Sequence, residues 1–189
     1  MRQSTLPKEC WRASTAASTT STTCSAGFSA RTERALAIVR EYRADEIPDI
    51  LRVIRAAFAE YRGLLDPPSS AEHKTLAIVE QELARAAALV AEQDQRVVGC
   101  VFYRPHGEGV YLDRLAVLPE HRRQGIGRQL MAGVEQRAIE AGYGNVSLSV
   151  RLALTELQAY YRRQGYADAG YGSHAGYAHP TYVRLEKQL

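Results

Sequence analysis

Residues 121–130 read HRRQGIGRQL, and no other stretch of the chain constrains its fold as tightly. Side chains are given up at Gly125 and Gly127 just where Ile126, Leu130, Val134, Ala138 and Ala141 begin an apolar stripe at helical spacing, ended by Gly142. The preceding VYLDRLAVL (110–118) reads as a strand closed by Pro119. A strand, a glycine turn and a helix therefore follow one another. At a helix start the first backbone N–H groups have no intrahelical partner, and the macrodipole places partial positive charge there. Glycines let an anion approach that end without a Cβ in the way, while Arg122, Arg123 and Arg128 add full charges around it. A phosphate or pyrophosphate is the natural ligand. A loop that merely turns into a helix would carry the same two glycines.

Two nucleotide motifs are excluded. A P-loop ends in Gly-Lys-Ser/Thr, whereas Gly127 is followed by Arg128 and Gln129, which leaves nothing to hold magnesium. A dinucleotide fingerprint needs a third glycine three residues on, where this chain has Leu130.

The rest of the chain supplies the scaffold. LAIVREY (36–42) reads as a strand, and Ile47, Ile50, Leu51, Ile54 and Phe58 then recur at helical spacing, with Asp45 as the expected cap and Pro48 in the first turn. Pro67 and Pro68 end that helix, and a second is expected from about 71 to 86 with Leu76, Val79 and Leu83 along one side. Residues 88–104 read as a hairpin with its tight turn at Asp94-Gln95. NVSLSV (145–150) is a strand, Leu154, Leu157 and Tyr161 mark a short helix stopping at Gly165, and TYVRLEK (181–187) is the last strand. The order β α α β β β α β α β β specifies an α/β fold in a single domain over 35–189, with a mixed, mostly antiparallel sheet flanked by helices.

Residues 1–34 differ in kind. They are rich in Ser, Thr and Ala without apolar periodicity, and a disordered tail is expected there. They resemble an organellar transit segment in being Ser-rich, Arg-containing and acid-poor, but lack its amphipathic stripe; a dispensable tail or an upstream translation start fits the same composition. The tail holds five bases (Arg2, Lys8, Arg12, Arg31, Arg34) and two acids (Glu9, Glu33), and subtracting these from the chain's 24 and 21 leaves 19 of each. A near-neutral folded part argues against nucleic acid as partner. No apolar run approaches the ~18 residues of a membrane span and no secretory segment is evident, so a cytoplasmic location without membrane association is expected. Cys10, Cys24 and Cys100 show neither a CxxC pair nor Cys/His ligand spacing, so no metal site is expected. Cys100 reads as a small buried apolar residue.

LDRLAVLPEHRRQGIGRQL (112–130) resembles the acetyl-coenzyme A motif of the GNAT family of N-acetyltransferases, whose Arg/Gln-x-x-Gly-x-Gly/Ala signature is met by Arg122, Gly125 and Gly127. AYYRRQGY (159–166) is similar to the family's second motif, and the resemblance in element order extends from about residue 36 to the C-terminus. It implies a GNAT fold with splayed central strands. It also implies acetyl-coenzyme A as co-substrate, its diphosphate on the backbone amides of Gln124, Gly125, Ile126, Gly127 and Arg128, with the side-chain charges of Arg122, Arg123 and Arg128 around it. The pantetheine arm would add as a strand to Leu115, Ala116 and Val117. Apolar residues at Val110 and Leu112, then at Leu115 and Val117, shift phase as a bulge would; a strand buried on both faces gives the same pattern.

An acceptor amine with a pKa near ~10 must lose a proton before it attacks a thioester. The resemblance places a base at Asp113, which alternates with Tyr111 onto one strand face; pairing with Arg114 is the competing role for that carboxylate. A backbone N–H around Ala116 or Val117 would hold the oxyanion. Tyr161, the tyrosine of the Y-x-x-x-G-F/Y pattern, would return a proton to the thiolate; a core aromatic on the Leu154/Leu157 stripe is the alternative, and Tyr160 points about 100° away around the helix. Leu154 stands where members often carry asparagine, which puts one cofactor or helix-start hydrogen bond in doubt. The acceptor would be shaped by the first two helices with their connecting segment 61–74 and by 170–182; Glu60, Asp66, His174, Tyr177 and His179 are candidates to face a cationic amine, against the ordinary reading of each as a solvated loop residue. Direct transfer to an amine of a small molecule or peptide is one functional reading. A non-catalytic acyl-coenzyme A-binding sensor or interaction module is the other, and the sequence does not choose between monomer and homodimer.

Overall fold

The apolar alternation of the middle of the chain folds into adjacent antiparallel strands, β2 (Ala87–Gln93), β3 (Arg96–His106) and β4 (Gly109–Val117). This is a computed structural model describing residues 36–189, so the expected tail lies outside the described residues. The β2–β3 turn sits at Asp94-Gln95 as expected, both residues taking positive φ (51° and 61°), the backbone that matches the twist of a two-residue hairpin. With β1 (Ile38–Glu41), β5 (Asn145–Arg151), β6 (Ala167–Gly172) and β7 (Tyr182–Gln188), they form one seven-stranded sheet in the order β1-β2-β3-β4-β5-β7-β6. All neighbours are antiparallel except β4 and β5, a parallel pair.

Helices α1 (Ile47–Phe58), α2 (Leu76–Leu83), α3 (Ile126–Glu140) and α4 (Thr155–Arg163) complete the element order. The α3 stripe is buried at Ile126, Leu130, Met131, Val134 and Ala138, and it packs so closely on the sheet that a Cβ built at Gly133 would lie 2.8 Å from Leu89 Cδ1. Gly142 (φ +78°) ends it, with Tyr143 N donating to Ala138 O and Gly142 N to Ile139 O.

Two expectations need correction. Asp45 does not cap α1: a 3-10 turn over Ala44–Glu46 precedes that helix and leaves Asp45 exposed, while the buried Glu46 accepts from Arg43 N and pairs with Arg40, which holds its carboxyl below the usual range. The helix expected from 71 to 86 is split into a 3-10 turn over Ser70–His73 and α2, because Lys74 and Thr75 are extended and the Thr75 hydroxyl caps the second piece by accepting from Ile78 N.

Candidate active site

The phase change in β4 is a bulge. Phe102 pairs with Asp113 and Cys100 with Ala116, so β4 has one residue more than β3 across this step, and Arg114 takes φ +53°. The extra residue keeps Val110, Leu112, Leu115 and Val117 on one face and puts Tyr111, Asp113 and Ala116 on the other. Next to the bulge the sheet opens: β4 and β5 pair only at Val110 with Val146 and Tyr111 with Ser147. Beyond Tyr111 the β5-facing edge of β4 has no strand partner, and a cavity of about 450 Å³ lies at the divergence.

At the far end of β4 the glycine turn delivers the chain into α3. Gly125 is the N-cap at φ +83°, with no side-chain cap, and Arg123 takes φ +59°. Among the described residues, the amides of Arg123, Gln124, Gly125, Ile126, Gly127 and Arg128 meet no acceptor; the first bond after the turn is Gln129 N to Gly125 O. These amides are the orphan donors of a helix start, gathered at a backbone only glycine adopts readily. A Cβ at Gly127 would come within 3.3 Å of the Tyr160 hydroxyl and 4.0 Å of Val117 Cγ2, so the turn adjoins both the end of β4 and α4. The turn and the end of β4 thus fit a diphosphate followed by an extended amide-bearing arm.

The three arginines of the run behave differently. Arg123 and Arg128 are exposed. Arg122 instead donates from Nη2 to Ala57 O at 2.8 Å, pairs through Nη1 with Glu60 at 2.8 Å, and places Nε 3.4 Å from Val117 O; its own N–H bonds Pro119 O. Its guanidinium therefore fastens the end of α1 to the end of β4, away from the free amides. Glu60 is consumed by the same contact, which holds its carboxyl below the usual range.

Tyr161 lies at the wall of the cavity, 6% exposed, in edge contact with Tyr160 and Tyr166 at ring distances of 5.4 and 5.9 Å. Its hydroxyl makes no hydrogen bond among the described residues, and burial pushes it well above the ordinary phenol value, so it holds its proton throughout the neutral range. Asp113 also faces the cavity; its Oδ1 accepts from Arg114 N at 2.9 Å and from Arg114 Nη1 at 3.1 Å, the competing role recognised in the sequence. Arg114 is itself shared with Ser70 and with Glu82, and Glu82 pairs with the fully buried Lys74. That ionic chain joins the loop before α2 to the bulge, and beyond the adjacent Asp113-Arg114 pair it has no signal in the sequence, because Glu82 and Arg114 lie far apart along the chain.

The rest of the cavity comes from the two segments expected to shape the acceptor. Tyr61, Leu65, Pro68, Ser69 and Ser70 line it from one, His174 and Tyr182 from the other, with Arg151 and Leu154 between. Leu154 is the N-cap of α4 and gives it no side-chain cap, as the departure at this position implies. Asp66 and Tyr177 are bound to one another, carboxylate to hydroxyl, and Tyr177 packs edge-on against His179; none of the three lines the cavity. Cys100, in β3, is fully buried and its thiol is pushed up to about 12 by burial, which disfavours a thiolate. Among the described residues no group of three or more His, Cys, Asp or Glu is placed to hold a metal ion, and no helix is long and apolar enough to cross a membrane.

A family model described as the acetyltransferase (GNAT) family matches residues 52–166. Thialysine N-epsilon-acetyltransferase from Bos taurus is 32% identical over 129 residues, covering 61% of this chain and 75% of the relative. An IAA acetyltransferase from Azospirillum brasilense is 37% identical over 104 residues, covering 53% and 67%. Among solved structures, PaiA N-acetyltransferase from Thermoplasma acidophilum in complex with coenzyme A superposes with a TM-score of 0.61 at 17% identity, covering 81% of this chain and 99% of that one. Its likeness is one of fold.

Proposed function

Because the chain belongs to the GNAT acetyltransferase family, we propose that it is an acetyl-coenzyme A-dependent N-acetyltransferase that passes an acetyl group directly to an amine of a small molecule or peptide. The observation that carries this is the run of amides over 123–128 without acceptors, at a glycine-bounded helix start beside the splayed strands. Acetyl-coenzyme A, when bound, supplies an activated acyl thioester. The amides of Arg123 to Arg128 hold its diphosphate, with the charges of Arg123 and Arg128 nearby, and the unpaired edge of β4 at Leu115, Ala116 and Val117 holds its extended arm. Arg122 acts through the backbone, fixing the end of β4 from which the turn begins.

Tyr161 protonates the departing thiolate. Its raised pKa does not disqualify it, because a thiolate released in the same dry wedge is raised by the same desolvation. A proton leaves the amine toward Asp113 or a water beside it; the contacts with Arg114 fix the direction of that carboxylate. Thiol release with a broad panel of amines tests the proposal. Turnover that depends on both substrates supports it, coenzyme A binding without turnover of any amine supports a sensor instead, and failure to bind coenzyme A removes both.

A further inference from the structure

Charge is not balanced at the acceptor end of the wedge. The charged side chains that line it are Asp113, Arg114 and Arg151, with His174 beside them. Asp113 and Arg114 pair with one another, whereas Arg151 forms no ion pair among the described residues. Its Nη2 donates to Pro67 O and its Nη1 lies 3.1 Å from His174 Nε2, which leaves three of a guanidinium's five N–H donors without a protein partner. Its Nε makes no hydrogen bond among the described residues and is not sealed from solvent, and the residue lines the cavity. Asp66, the one carboxylate whose field Arg151 feels, lies outside ion-pair range and is engaged by the Tyr177 hydroxyl.

The guanidinium is held firmly. Arg151 closes the β5–β7 ladder opposite Tyr182, and α4 secures its carbonyl through Gln158 Nε2 at 3.0 Å. His174 meets the buried Thr181 hydroxyl through both its backbone N, at 3.0 Å, and its Nδ1, at 2.5 Å, and the Tyr182 ring packs edge-on against it at 5.3 Å. Nε2 must therefore accept from Arg151, which requires a neutral imidazole. Burial and the Arg151 charge both lower the His174 pKa and keep it so. A fixed, half-buried cation with free planar donors is built for a carboxylate.

We propose that Arg151 anchors a carboxylate of the acceptor, so that the amine acetylated here belongs to an amino-acid-type molecule and not to a bare polyamine or aminoglycoside. This rests on the transferase reading and adds the substrate class to it. The absence of free carboxylates agrees, since a polycation entering this wedge would meet Arg151 and no unpaired acid except the second oxygen of Asp113.

The test follows thiol release from acetyl-coenzyme A by the full chain with the common free amino acids, each beside its amide and its decarboxylated amine, and with a peptide whose N-terminal amine is far from any carboxylate. At least one free acid is expected to exceed its amide and its amine by ~10-fold or more in kcat/KM, because a fixed cation left without its partner penalises the wrong ligand. Arg151→Gln should raise KM for that acid ~10-fold or more while the coenzyme A affinity holds, and should erase the preference over the amide. Arg151→Lys, which keeps the charge but not the fork, should recover part of it and serves if the glutamine variant folds poorly. Equal use of acids, amides and amines by the wild type, preference for the peptide, an Arg151→Gln effect equal on all acceptors, or no turnover of any acid would each overturn the inference. Coenzyme A binding by titration calorimetry and turnover across the whole amine panel, run in parallel, separate these outcomes from failure of the transferase reading itself, which would show as no binding or as binding without turnover of any amine.

Discussion

The two ends of the wedge are made of different material. At the end proposed for the donor the free groups are main-chain amides from six consecutive residues, set by the left-handed turn at Gly125 and the start of α3. At the end proposed for the acceptor the lining is made of side chains, among them Tyr61, Arg151, His174 and Tyr182, brought together from three distant stretches of chain. Backbone amides are tied to the fold, so a ligand read by them survives wide change in sequence. Side chains from separate loops are free to vary, and a difference in substrate is most easily written there. One molecule thus joins a constant half to an individual one.

Four substitutions probe that division, and the largest effect belongs to the constant half. Gly127→Val places a branched side chain against the Tyr160 hydroxyl and over the free amides, and coenzyme A affinity should fall ~100-fold, the loss of one or two charge-assisted hydrogen bonds, as read by calorimetry. An unchanged affinity would remove the turn from the donor site. Tyr161→Phe lies at the junction of the halves; turnover should drop at least ~10-fold with coenzyme A affinity intact, and undiminished turnover would take Tyr161 out of the mechanism.

Arg122→Ala distinguishes a phosphate ligand from a clamp. Its partly exposed contacts with Glu60 and Ala57 O predict a stability loss of about 1 kcal/mol in thermal melts, with little change in KM for acetyl-coenzyme A. A large rise in that KM without a stability loss would return Arg122 to the phosphate. His174→Gln gives the smallest effect, a rise of a few-fold in acceptor KM, and an unchanged KM would discard His174 from the acceptor site. It also carries a pH signature. The folded imidazole titrates below its ordinary 6.5, so the unfolded chain takes up its proton first, and stability due to this group is lost as pH falls below about 6.5. The drop in melting temperature between about pH 7.5 and about pH 5.5 should be smaller in the glutamine variant than in the wild type.

What the sequence disclosed follows the same division. The glycine turn, the stop at Gly142, the Asp94-Gln95 hairpin and the phase change in β4 are local events, each encoded in a few adjacent residues. Arg122 carries no mark of its direction, because whether it turns to a phosphate or to Ala57 O depends on where α1 ends in space. Arg151 reads as an ordinary base at the end of a strand. Only the fold removes its counter-ions and sets His174 beside it. The insertion of β7 between β5 and β6 was equally invisible, since strand order is decided by pairing and not by the pattern within any strand.

Gly109 marks the apex from which β4 and β5 diverge, and there the packing leaves no slack: a Cβ would lie 1.9 Å from Asn145 Oδ1 and 2.8 Å from the Asn145 carbonyl. The fault would not stay at the apex. Two strands joined at one end behave as the arms of a pair of compasses, so prising them apart at the hinge swings their far ends through a wider arc. Alanine at 109 would then act as a remote control on the gap between Tyr161 and the bulge, altering acyl transfer from a position that touches neither substrate.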